Sequence, residues 1–219
     1  MILHSIVGKM TDLATLPAPP TQRDERRQRI IAVASQLFLA NGFARTSMSQ
    51  VAAAVGGSKT TLWSYFAGKN ELFMAVADHF IERYFDPVER YLTDHLNVRE
   101  DLQHIGRSML AAAMTPEISG LIRISTAESR DFAELGDMFH KRGLGRGWTV
   151  IGSYLDRAKA AGHLTRDCDT GVAARHFIGL CQAHWYQRIM LAGEVAPDGD
   201  TLDRDVEDAV DTFLRAFAR

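Results

Sequence analysis

The sequence predicts an all-α protein in which a small N-terminal three-helix unit joins a larger helical bundle. Three observations carry this expectation. Apolar residues after position 24 recur at helical spacing, and no segment alternates as a strand would. Glycines and prolines fall between the periodic segments. Charge is divided by region: residues 22–70 hold seven basic and two acidic side chains, net +5, whereas residues 71–219 hold 17 basic and 24 acidic, net −7.

In the first helix Ile30, Ala34, Leu37, Phe38 and Asn41 lie on one face. Asn41-Gly42 ends it, glycine being suited to a left-handed C-cap. Ser47 or Ser49 suits the N-cap of a short second helix with Met48, Val51, Ala52 and Val55 on its apolar side. Gly56-Gly57 stops that helix. Ser58 caps a third, whose Leu62 and Phe66 are spaced for burial. A fourth runs from Lys69 through Leu72, Val76, Phe80 and Tyr84 toward Pro87. Further helices are expected over 99–114, 117–128, 131–141, 147–161, 170–192 and 202–218. Pro116, the run from Gly143 to Gly147, Gly162 and the Pro197-Asp198-Gly199 turn separate them.

Apolar residues make up 46% of the 219 positions, enough for a substantial core. No apolar run approaches the roughly 18 residues of a membrane helix. Two cysteines, Cys168 and Cys181, are too few for a disulfide framework, so a reduced, cytoplasmic setting is expected. Residues 1–23, with Pro17, Pro19 and Pro20, read as a flexible arm rather than a signal peptide. Residues 24–70 form the expected basic head and 71–219 the acidic body.

Ala52, Gly56 and Leu62 stand in helix-turn-helix relation. A small residue lets the two helices approach, glycine permits the turn, and leucine faces back into the angle. Ser58, Lys59, Thr60, Thr61, Trp63 and Ser64 then project outward or from the helix start. Short hydroxyls suit a helix lying in the DNA major groove, where N-terminal residues meet base edges. Lysines add phosphate contacts. No acidic residue lies between Glu25 and Glu71, which suits a polyanion-binding face.

The segment FLANGFARTSMSQVAAAVGGSKTTLWSYFAGKNELF resembles the DNA-binding segment of the TetR family of transcriptional regulators. The family pattern is a helix ending in Asn-Gly, a Thr/Ser-rich lead, then Ser-Lys-small-Thr-Leu-Tyr-x-Tyr/His-Phe-x-x-Lys. Here it is carried by Asn41-Gly42, Arg45-Thr46-Ser47, the run from Ser58 to Phe66, and Lys69. The resemblance implies that Thr46, Ser47 and Ser49 anchor phosphates at the second helix. It implies that Lys59, Thr60, Thr61, Trp63 and Ser64 meet the groove, while Tyr65 and Lys69 grip phosphates at its far edge. Thr60 stands where the family has glycine or alanine, and Trp63 replaces the usual tyrosine. Both departures bear on base preference rather than on fold. Arg23, Arg26, Arg27 and Arg29 are candidates for the flanking backbone.

The body is similar to the C-terminal domains of AefR-like members, through TPEISGLIRISTAESRDFAELG and QAHWYQRIMLAG. The resemblance implies a homodimer with a small-molecule pocket, repressing from a palindromic double-stranded operator until an apolar or amphipathic ligand releases it. Pocket candidates are Met109, Met114, Phe139, Trp148, Ile151, Cys181, His184 and Trp185. Dimer candidates are Val172, Arg175, His176, Gly179, Ala183 and Tyr186 on one helix and Val206, Val210, Phe213, Leu214 and Phe217 on the next. No enzyme motif and no cofactor is expected. The competing reading is a helical-bundle binding protein, its basic head serving another polyanion, or a di-metal oxidase. Asp101-x-x-His104 and Asp137-x-x-His140 place carboxylate and imidazole one turn apart twice, but without the partner glutamates such sites use.

Overall fold

The computed structural model describes residues 21–94, 96–192 and 199–219. Residues 1–20 of the expected arm (1–23) and residues 197–198 of the expected turn lie outside the described residues, as do the side chains of Pro87, Thr93, Asp94 and Trp185. Residues 21–23 of that arm instead open the first helix, where Thr21 is the N-cap and the Thr21–Asp24 capping box fixes the start. In chain order the helices are α1 (Gln22–Asn41), α2 (Met48–Val55), α3 (Lys59–Trp63), α4 (Lys69–Asp94), α5 (Val98–Ala113), α6 (Pro116–Glu128), α7 (Ala133–Met138), a π-helical turn (Phe139–Leu144), α8 (Gly145–Ala160), α9 (Thr170–Gln182), α10 (Trp185–Ala192) and α11 (Gly199–Phe217). No strand occurs among the described residues; a single bridge between Leu164 and Ala218 ties the end of the chain to the loop after α8.

Local chemistry sets the N-terminal helix ends. Thr21 and Asp24 form a capping box on α1, and Ser47 and Gln50 form one on α2. Ser47, not Ser49, is therefore the cap. Gly56 closes α2 at φ 77°, a left-handed conformation that a side chain would strain.

Two apolar cores follow. The first joins Ile30 and Phe38 of α1, Val51 of α2, Leu62 of α3 and Phe73 of α4 to Leu121, Leu135 and Met138 from α6 and α7. The second joins Leu102 and Ile105 of α5, Tyr154 and Leu155 of α8, Phe177 of α9 and Phe213 of α11. Helix α4 threads both, giving Leu72 to Phe85 to the first and Val88 and Leu92 to the second.

Four sequence expectations are corrected here. Helix α4 does not end near Pro87 but runs on to Asp94. An internal proline costs about 3 kcal/mol, and buried Phe85, Val88 and Leu92 on either side offset it, each side chain contributing roughly 1.5–3 kcal/mol. The Gly143–Gly147 run is not a connector: the π-helical turn passes directly into α8. Gly147 lies against the Phe85 ring, 3.4 Å from where its Cβ would stand, so a residue this small lets α8 close on α4. The helix expected over 170–192 breaks at Ala183-His184. There His184 Nδ1 meets Asp205 of α11 at 3.1 Å, and α10 turns away toward α6, where Arg123 donates to the Ile189 carbonyl at 3.4 Å. Finally, Val206, Val210 and Phe213 are buried in the protomer's own core rather than forming a dimer face. Gly106 permits this, since its Cβ would stand 2.8 Å from Val206 Cγ1.

The Asp-x-x-His pairs are engaged otherwise. Buried Asp101 accepts hydrogen bonds from Tyr154 Oη (2.6 Å), Tyr91 Oη (3.2 Å) and the Asn97 amide (2.8 Å). Burial and this carboxylate push the Tyr154 hydroxyl well above the usual phenol range. His104 stacks on Tyr91, Asp137 pairs with Lys141 at 2.7 Å, and His140 lies edge-on to Trp148. Asp101 is a structural hydrogen-bond hub, and the di-metal reading is withdrawn on that ground.

Candidate nucleic-acid interface and cavity

Helices α2 and α3 stand on α1 through Ala52, Val55 and Leu62, all buried. That packing leaves an outer row of Ser47, Ser49, Ser58, Lys59, Thr60, Trp63 and Ser64, each exposed, with Thr61, Tyr65 and Lys69 half-buried beside it. The Trp63 side chain, large and apolar, is 50% exposed with no core role to explain it.

Hydrogen bonds within the head sort these residues by what they still offer. Ser47 Oγ accepts from the Gln50 amide and retains its own proton to donate. Ser58 Oγ caps Thr61 N at 3.1 Å and lies 2.9 Å from Thr61 Oγ1. Ser64 Oγ donates to the Thr61 carbonyl at 2.7 Å, so it keeps acceptor capacity only. Ser49, Lys59, Thr60 and Trp63 make no side-chain hydrogen bond among the described residues and offer their full capacity outward.

Thr46 departs from expectation. It is 1% exposed, and its hydroxyl donates to the carbonyls of Gly42 (2.8 Å) and Leu37 (3.2 Å). A buried hydroxyl engaged this way locks the α1–α2 link and is not available to a phosphate. Lys69 is also drawn inward: its ammonium donates to Phe43 O at 2.9 Å and lies 4.2 Å from the Phe43 ring centroid. It pins the start of α4 to the same link, with donor capacity to spare. Three α1 arginines face the segments that flank α3. Arg23 lies over the Tyr65 ring, Arg27 over Phe66, and Arg26 Nη2 sits 2.9 Å from where a Gly57 Cβ would stand. Sequence reasoning passed over Arg45 as a site residue. It is exposed at the start of α2, with Nε donating to Asn41 O at 2.8 Å. Its place beside Ser47 in an acid-free stretch was the available signal.

Behind the head lies a cavity of about 380 Å³, a size suited to small ligands. Its wall comes from α4, α5, α6, the π-helical turn, α8, α9 and α10. Of the sequence candidates, Met109, Phe139 and Ile151 line it. Met114 and Cys181 do not; they fill the body core, where burial pushes the Cys181 thiol up to about 12. Trp148 packs against that core from outside the wall, and exposed His184 is held by Asp205. The Trp185 side chain is outside the described residues. The wall residues missed by sequence include Tyr84, Ile122, Gln182 and Tyr186, whose helical spacing gave no hint that a void would open between their faces.

The wall elements make one close contact with the head and one ion-pair contact along α4. On α6, Gly120 lies so close to α1 that its Cβ would stand 2.6 Å from Leu39 Cδ2. On the π-helical turn, Arg142 pairs with Asp78 and Glu82 of α4. Asp78 Oδ1 is buried with no hydrogen-bond partner, and burial raises the Asp78 carboxyl above its usual range despite the guanidinium.

Residues 30–76 match the family described as bacterial regulatory proteins, tetR family, and residues 100–219 match the one described as AefR-like transcriptional repressor, C-terminal domain. The HTH-type transcriptional activator FasR of Mycolicibacterium smegmatis is 31% identical over 81 residues, 37% of this chain and 37% of FasR. The match therefore spans well under half of that relative. A structure from Mesorhizobium loti MAFF303099, assigned to the TetR family, aligns with a TM-score of 0.83 at 24% identity, covering 91% of this chain and all of that one (100%). The flavonoid-responsive regulator FrrA aligns with a TM-score of 0.70 at 27% identity, covering 89% of this chain and 97% of FrrA.

Proposed function

Because the chain belongs to the TetR family of bacterial transcriptional regulators, which are DNA-binding proteins and not enzymes, we propose that it is a homodimeric repressor, released from a palindromic operator by a small molecule. The observation that carries this reading is the acid-free outer row of α2 and α3. Within it Ser49, Lys59, Thr60 and Trp63 present two hydroxyls, an ammonium and an indole that make no side-chain hydrogen bond among the described residues. In this reading residues 24–70 are the DNA-binding head and 71–219 the ligand-binding and dimerising body, working in the cytoplasm. No helix among the described residues is long and apolar enough to cross a membrane.

Roles follow from hydrogen-bonding capacity. Ser47, Ser49 and Arg45 anchor phosphates, Lys59 adds a charge-assisted contact, and Thr60, Thr61, Trp63 and Ser64 meet base edges. Tyr65 and the remaining donor of Lys69 support the far edge. One head per half-site requires a dimer. The face of α9 with Arg175, His176, Gly179 and Ala183 is exposed, and nothing lies within 4 Å of a Cβ added at Gly179, so a partner helix could approach closely. Repression is favoured because the match over 100–219 is to a repressor domain, whereas the match to the activator FasR is confined to 81 residues. The cavity is the proposed ligand site. FrrA's response to flavonoids makes uncharged polyphenols a first set of ligands to try.

Selection of random duplex DNA by the purified protein tests the central claim. A shared palindrome is expected. Binding that is salt-sensitive yet blind to sequence would instead assign the basic head to polyanions in general. A reporter driven from the selected site then fixes the sign of regulation.

A further inference from the structure

Among the described residues the cavity wall contains no Asp, Glu, Lys or Arg. Its polar side chains, the exposed imidazole of His140 apart, divide into two groups. Ser125, Thr126 and Ser129 return their hydroxyl protons to carbonyls of α6 at 2.7, 2.8 and 2.9 Å. Tyr84 of α4, Gln182 at the end of α9 and Tyr186 of α10 make no side-chain hydrogen bond among the described residues. Of the cations that adjoin the wall in sequence, Lys141 pairs with Asp137, Arg142 with Asp78 and Glu82, and Arg146 with Asp86 and Glu89. Arg123 donates to the Ile189 carbonyl, and Arg83 and Arg130 stand exposed to water rather than in the wall. His140 stands on the exposed rim, edge-on to Trp148.

We propose that the ligand of this cavity is an uncharged, mainly apolar molecule carrying a hydroxyl or carbonyl group that Tyr84, Gln182 and Tyr186 receive. This rests on the reading of the cavity as the ligand site and narrows it to one class. A carboxylate or ammonium drawn inside loses its water and finds no counter-charge, which is the costly case of burial. A hydroxyl finds two phenols and an amide that can each donate or accept. At about 380 Å³ the space holds on the order of a dozen waters, which corresponds to a molecule of modest size rather than a nucleotide or coenzyme conjugate.

The test uses the full-length protein and three probes with the same ten-carbon chain: 1-decanol, decanoate and decyltrimethylammonium, titrated calorimetrically at pH 7.5, with 4-hexylphenol, un-ionised at this pH, as a neutral phenolic probe. Decanol should bind at least roughly a hundredfold more tightly than either ion, the ions lacking any compensation for lost hydration. Comparable affinity for decanoate or for the ammonium would overturn the proposal while leaving the cavity as a ligand site. Failure of all four probes would remove the cavity reading and this inference together. Gln182→Lys adds a wall cation and should raise decanoate affinity selectively. Tyr186→Phe, which keeps the ring and hence the packing, should weaken decanol several-fold and leave decanoate unchanged.

Discussion

The serine and threonine hydroxyls of the head look alike in sequence but differ in their hydrogen bonds. Thr46 turns its hydroxyl into the protein, whereas Thr60 leaves its own outward. Thr46→Val should therefore cost about 1–3 kcal/mol of stability by removing the one proton that two part-buried carbonyls share, measured by urea unfolding, with operator affinity of the folded protein unaltered. A selective loss of DNA binding would restore Thr46 to the interface. Lys59→Ala should weaken binding to every duplex and reduce the salt slope by about 1. Trp63→Ala should change which sequence is selected, at about 1–3 kcal/mol per lost base contact; uniform losses across sequences would show that the indole reads no base. In the body core, Cys181 should resist thiol reagents at pH 8 until the protein is unfolded. Its thiol rises from 9.0 to about 12 on burial, so the folded form holds the proton more tightly. Stability from this group is complete below pH 9 and declines as pH climbs toward 12. A folded protein that labels at Cys181 at pH 8 would contradict that assignment.

At the scale of elements, α4 and the π-helical turn join cavity to head. Helix α4 begins where Lys69 holds the α1–α2 link, passes the cavity at Phe80 and Tyr84, and continues through Pro87. The π-helical turn supplies Phe139, Gly143 and Leu144 to the wall and grips α4 through Arg142. A ligand pressing on this turn bears on the ion pair that ties the turn to α4, the helix whose start holds the α1–α2 link through Lys69. Asp78 in this pair keeps one buried oxygen without a hydrogen-bond partner, a cost that a displacement toward water would relieve. Arg142→Gln should therefore leave operator affinity in the absence of ligand within a few-fold of the parent. The drop in operator affinity caused by saturating decanol, expected at about 5–150-fold in the parent, should shrink toward unity. Fluorescence anisotropy of a labelled operator with and without decanol measures both. An undiminished response would place the coupling on the Gly120–Leu39 contact instead.

At the scale of the whole molecule, the proposed dimer depends on α9 more than on α11. The apolar stripe of α11 is consumed within the protomer, and its outer side bears Glu207, Asp208 and Arg215. Helix α9 keeps a small-residue face open at Gly179 and Ala183. Gly179→Arg should convert the dimer to monomer at micromolar concentration in sedimentation velocity. It should also weaken operator binding, since two linked heads gain affinity from effective concentration. A dimer that survives this change would move the interface elsewhere. Arg99–Asp211 and Arg107–Asp203, which tie α5 to α11 at 2.5 and 2.6 Å, are exposed pairs and should matter little to either result.

The sequence by itself determined the helical class, the C-terminal end of α1, the limits of α2, the start of α3, and the chemistry of the outer row. Those features follow from local rules: capping side chains, left-handed glycine and the periodicity of apolar positions act within a few residues. It also marked the charge division, which needs only counting. Tertiary structure decided everything that depends on what stands opposite. Periodicity says that Val206 and Phe213 are buried but not against which chain. It cannot say that Met109 faces a void while Met114 faces core, because both sit on apolar faces. Nor does composition reveal that Thr46 and Lys69 point inward, or that α4 survives Pro87, since in each case a distant partner supplies the balancing free energy.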